Sequence, residues 1–118
     1  MLCRLADIAT ARSGDKGDIL DISLMAPDQR TYDLLIQEVS ADRVRAHFAG
    51  IVGGQVDRYE LPRLLALKFV LHGALDGGAA HALRADNLGK TLGAALLRLP
   101  IAWPYEGDPS AGKGRGSR

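Results

Sequence analysis

Between two apolar stretches the chain carries Ala11-Arg12-Ser13-Gly14-Asp15-Lys16-Gly17-Asp18, with four charged side chains, one hydroxyl and two glycines in eight residues. Gly14 and Gly17 permit backbone geometry that other residues resist, so the segment reads as a sharply turning loop that exposes its N–H groups. Arg12 offers an anion a planar fork, and Lys16 a mobile point charge. Asp15 and Asp18 can orient those cations, act as bases or help hold a divalent ion. A carboxylate, phosphate or thioester oxygen is the natural ligand. The competing structural reading is a charged hairpin connection whose Asp and Lys side chains pair with each other. The spacing is neither that of a GxxxxGK[ST] phosphate loop nor that of a GxGxxG turn opening a helix.

The remaining reactive residues are scattered. His47, His72 and His81 show no HxH or HExxH spacing, so no zinc site is expected. His47 sits near the buried side of an expected helix and reads as a packed or surface imidazole. His72, beside Gly73, is open to an acid/base role, because imidazole changes charge near neutral pH. Cys3 has no local base and reads as a small buried hydrophobe. Ser13 lacks the strand-turn-helix setting of a hydrolase nucleophile. Tyr59 and Glu60 either reach a site or pair across strands.

Elements must position these groups. Residues 2–11 read as one buried strand. In 19–26, Leu20, Ile22, Leu24 and Ala26 fall on one face and Asp21 and Ser23 on the other, the period of a half-buried strand. Pro27-Asp28 stops it and opens a helix whose Tyr32, Leu35, Ile36 and Val39 form a stripe. Ser40 caps a second helix with Val44, Phe48 and Ile51 buried, and Gly53-Gly54 ends it. Residues 55–61 read as a strand ended by Pro62. The alternation of Leu65, Leu67, Phe69 and Leu71 favours a strand over a helix for 64–75. A further short strand is expected at 81–85. Leu88, Leu92, Ala95, Leu96 and Leu99 mark a last helix ended by Pro100. Strands adjacent in sequence favour an antiparallel or mixed sheet with helices on one face, an α+β sandwich of ferredoxin-like outline.

Composition bounds the function. The chain of 118 residues has room for one domain. We place it at residues 1–103, with 104–118, rich in Pro, Gly and Ser, as a disordered tail. Fifteen Lys and Arg against fourteen Asp and Glu leave no basic excess to neutralise phosphates, and 5% aromatic residues make no base-stacking platform, so nucleic acid is not an expected partner. No apolar run approaches the ~20 residues of a membrane helix. The N-terminus carries Asp7 and no long apolar core, so it is not read as a secretory signal. A single cysteine suits a reducing compartment, and a cytoplasmic location is expected. The residues specify no cofactor.

Several motifs occur in one order: ARSGDKGD at Ala11–Asp18, RYELP at Arg58–Pro62, Ala66-Leu67 with Phe69-Val70-Leu71, Gly73-Ala74-Leu75 with Gly77-Gly78, and GKTLG at Gly89–Gly93. The set resembles the AtuA-like domain of acyclic terpene utilisation proteins, over about residues 3–100. The resemblance implies a ferredoxin-like α+β fold and a larger AtuA-type partner protein. It also implies a place in the breakdown of branched or isoprenoid acids as CoA thioesters. It marks Arg12, Ser13, Gly14, Asp15, Lys16, Gly17 and Asp18 as the functional segment. The chain departs from the family pattern where Asn is usual, at Asp21, Arg63 and Lys68. Asp21 is therefore expected to pair with Lys68 or Arg63, which requires an approach within about 4 Å.

Three functions compete on these grounds. The first is a binding module that completes the site of an AtuA-type partner. The second is a small enzyme on an acyl-CoA or hydroxy-acid, with Lys16 holding the anion and Asp15 or Asp18 as base. The third is a structural oligomerisation domain. Candidate catalytic residues are Asp15, Lys16 and Asp18. Candidate ligand-binding residues are Arg12, Ser13, Gly14, Gly17, Asp21, Lys68 and His72. A homo-oligomer is expected, since a one-sided sheet leaves a face and edges to cover.

Overall fold

The computed structural model describes residues 1–16, 19–49, 52–73 and 88–111. Gly17, Asp18, Ile51, His81 and the strand expected at 81–85 lie outside the described residues. In chain order the elements are β1 (Leu2–Arg4), α1 (Leu5–Ile8), β2 (Thr10–Lys16), β3 (Ile19–Met25), α2 (Gln29–Glu38) and α3 (Ala41–His47). They continue with β4 (Val56–Leu61), a 3-10 turn at Pro62–Leu64, β5 (Ala66–His72), α4 (Leu88–Leu96) and β6 (Pro100–Ala102). A four-stranded sheet runs β2-β3-β5-β4, and β1 and β6 form a separate pair. Every pairing among the described residues is antiparallel. The result is an α+β sandwich, antiparallel rather than mixed.

Alternation builds the core side. Leu20, Ile22 and Leu24 of β3 and Leu67, Phe69 and Leu71 of β5 are fully buried, and the residues between them are not. Shifting either strand by one residue would turn its whole apolar set to solvent, so burial itself specifies the register. Residues 64–75 thus contain a strand as expected, because Phe69 lies opposite Ile22 and Leu67 opposite Leu24. Helices α2, α3 and α4 cover this side, contributing Tyr32, Leu35, Val44, Leu92 and Leu96 to the same cluster.

Local chemistry sets the helix ends. The Asp28 carboxylate accepts from the Thr31 amide at 2.8 Å, capping the helix that Pro27-Asp28 opens, and the Ser40 hydroxyl accepts from the Arg43 amide at 3.1 Å as the expected cap. Arg58 closes the other end of α2. Its guanidinium donates to the Ile36 carbonyl at 2.8 Å and the Val39 carbonyl at 3.1 Å, carbonyls that a helix C-terminus leaves without partners.

One expectation changes. Residues 2–11 are not one strand: a helical turn, Leu5–Ile8, interrupts them. Asp7 accepts from the Arg4 amide at 2.9 Å, and the Leu5 and Ala6 amides donate to the Leu99 and Leu97 carbonyls. Leu5 and Ile8 are then buried together, three residues apart. Tyr105 meets Trp103 edge to face at 5.1 Å, and the Arg30 guanidinium lies 4.4 Å from the Tyr105 ring centre.

Candidate functional site: the face of the sheet opposite the helices

The segment read as a loop over 11–18 is mostly strand. β2 continues to Lys16, paired with Ile19, so hairpin geometry governs Arg12 to Lys16. Apolar alternation hides this strand, because its helix-facing positions are the small Ala11 and Ser13. They are small because α4 lies close: a Cβ on Gly93 would stand 2.8 Å from the Ser13 hydroxyl. Ser13 therefore faces α4, away from the other ligand candidates, beside a cleft of ≈ 400 Å³ lined also by Ala11, Arg12, Gly93, Ala94 and Leu97.

Register brings Arg12, Gly14, Lys16, Asp21, Lys68 and His72 to the opposite face, which carries no helix among the described residues, whereas Asp15, paired with Leu20, takes the register of Ser13 on the helix side. Arg12 pairs with Ser23, Ser23 with Lys68, and Lys68 with Tyr59, forming one row across four strands. The next row is Gly14, Asp21, Val70 and Asp57. The third begins Lys16, Ile19, His72. Rows of this kind place neighbouring strands about 4.8 Å apart.

The Lys68 ammonium stands 3.9 Å from the Asp21 carboxylate, with the two side chains 42% and 43% exposed. This is the expected compensating pair, made with Lys68 rather than Arg63. Such exposed pairs are worth about 0–1 kcal/mol, so a stronger anion can displace Asp21 from Lys68. Arg12 is exposed and has no ion-pair partner among the described residues. Tyr59 joins the face opposite Lys68, whereas Glu60 bonds Arg58 at 2.9 Å on the helix side.

Sequence reasoning missed Asp57 and Gln55. The Asp57 carboxylate accepts from His72 Nε2 at 2.9 Å, and its other oxygen accepts from the Gln55 side-chain amide. The His72 hydrogen bond, then that from Gln55, holds the Asp57 carboxyl below the usual carboxylate range. Only the pairing of β4 with β5 links these residues, which are fifteen positions apart. The alternation of VDRYEL, once opposed to β5, is the signal that would have found them.

His47 and Cys3 stay outside this face. His47 bonds the Ala95 carbonyl through Nε2 at 2.8 Å. Cys3 is buried, and that burial, then the charge of Asp7, pushes its thiol pKa up. Among the described residues no group of three or more His, Cys, Asp or Glu is placed to hold a metal ion. No described helix is long and apolar enough to cross a membrane.

A two-layer antiparallel α+β domain of this kind matches a known family. Residues 3–102 match the AtuA ferredoxin-like domain, and the chain belongs to that family. It has no match among curated proteins or among solved structures.

Proposed function

We propose that this domain is a binding module that completes the active site of a larger AtuA-type protein in the cytoplasm, acting on branched or isoprenoid acyl-CoA thioesters. The face opposite the helices meets the partner and the ligand. Arg12 and Lys68 hold the ligand's anionic part, and Asp15, Lys16 and Asp18 supply further charge and proton-accepting groups.

One observation carries this reading: Arg12, Gly14, Asp21, Lys68 and His72, separate in sequence, occupy adjacent rows of one face that carries no helix among the described residues. A one-sided sheet on a small domain invites a partner, and exposed cations beside weakly held carboxylates suit an anion.

The test is copurification from the native source, followed by reconstitution. Stoichiometric recovery with a larger protein, and loss of that protein's thioester turnover on adding Arg12→Glu/Lys68→Glu in place of the native chain, are expected. Full turnover by the purified chain alone would favour the small-enzyme reading. Partner activity that survives removal of this chain, with loss of assembly only, would favour the structural one.

A further inference from the structure

The face opposite the helices holds one side chain whose hydrogen bonding prepares it for proton transfer. Asp57, as a carboxylate, only accepts hydrogen bonds, so the proton shared at 2.9 Å belongs to His72 Nε2. Nδ1 is then the basic nitrogen of the ring, and it has no partner among the described residues. The His72 side chain is 41% exposed, so a ligand on this face can reach it.

The backbone beneath His72 is clamped. Its amide donates to the Gln55 carbonyl at 2.9 Å, and its carbonyl accepts from the Gly54 amide at 3.0 Å. Gln55 also holds the far oxygen of Asp57, so Gln55, Asp57 and His72 form one chain of contacts. The groups around His72 are Asp57 on β4 and Gln55 just before it, Ile19 and Asp21 on β3, Val70 and Lys68 on its own strand, and Lys16 in its register row on β2. Asp21 is engaged by Lys68, which leaves Asp57 as the carboxylate bonded to the ring.

We propose that His72 is a catalytic base on this face, oriented by Asp57, which removes a proton from the carbon next to a thioester carbonyl. The C–H bond breaks and an N–H bond forms at Nδ1. The electron pair of the C–H bond passes into the carbon framework, giving an enolate with its charge on the thioester oxygen. The imidazolium, stabilised by Asp57, then returns a proton to the same carbon. The proposal rests on the reading that this face binds an acyl-CoA, and it commits the chain alone to weak binding at millimolar ligand.

The full-length chain is tested with a branched saturated acyl-CoA in D2O. Binding is read from amide shifts of Ser23, Val70 and Tyr59, and chemistry from deuterium entering the α-carbon. General-base catalysis contributes about 10²–10⁴-fold, so His72→Gln is expected to bind normally and to lose exchange by about 10²-fold. Asp57→Asn, with His72 intact, is expected to slow exchange and shift its pH profile, which a loss of folding alone would not do. Amide spectra of both variants establish that they fold. Wild-type binding without exchange above buffer, or exchange unchanged in His72→Gln, overturns the base assignment while leaving the binding face intact. Failure of the folded chain to bind the thioester overturns both.

Discussion

A Cβ placed on Gly54 would sit 2.5 Å from the carbonyl oxygen of His72 and 3.2 Å from its Cβ. The turn before β4 therefore needs glycine because the end of β5 passes directly against it. Gly54→Ala must push the two backbones apart and weaken the bond from the Gly54 amide to the His72 carbonyl. Overpacking of this sort costs about 1–3 kcal/mol. Thermal denaturation should show the loss, and the ring signals of His72 should move while those of His47 stay.

Asp57 makes stability depend on acid in a defined direction. A carboxyl whose native titration lies below its unfolded value stabilises the fold above that value, 3.8, and the contribution disappears as pH falls through the lowered native one. Asp57→Asn should melt below wild type near neutral pH, and the gap should close in acid below 3.8. Asp108, lowered by the Ser110 amide and hydroxyl, adds the same slope to both proteins and cancels in the comparison. A gap that persists unchanged into acid would contradict the His72–Asp57 linkage.

Arg58 has a structural task. It holds two carbonyls at the end of α2 and bonds Glu60, with only 22% of its side chain exposed. Arg58→Ala leaves those carbonyls without their charged donor, at a cost of about 2 kcal/mol. The melting temperature should drop by roughly 10 °C. Arg58→Lys should recover only part, because an ammonium lacks the planar fork.

Lys68 should behave in the opposite way. Its ion pair with Asp21 is exposed and long, so Lys68→Ala should change stability by less than about 0.5 kcal/mol. The same substitution should weaken binding of an acyl-CoA several-fold, measured by titration calorimetry, and more so at low salt. Equal affinity in the variant would remove Lys68 from the anion site.

Cys3 is 8% exposed, and its thiol pKa is raised by burial. A maleimide reagent at pH 7 should label it slowly in the native chain and rapidly after denaturation. Fast native labelling would show that the β1–β6 pair opens readily.

Much of the scaffold was legible before any coordinates. Alternation in 19–26 and 65–71, the helix start at Pro27-Asp28, the cap at Ser40, and the stop at Pro62 each act within a few residues, and each forms. The helical turn at Leu5–Ile8 was not legible, because its amides are satisfied by Leu97 and Leu99, about ninety positions away. The strand character of Arg12–Lys16 was hidden for a related reason: its buried side is shaped by Gly93 of α4, which leaves Ala11 and Ser13 small and breaks the apolar pattern.

The amino-acid order by itself determined most of the element types, the family and most of the charged and titratable candidates, since these depend on local periodicity and on motifs read in sequence. Tertiary structure decided which candidates share a surface. Strand pairing removed Ser13 to the helix side, chose Lys68 as the partner of Asp21, and brought Asp57 to His72. Those outcomes depend on the register between strands, which is set by how the buried leucines of β3 and β5 meet the helices above them and is not carried by any one segment.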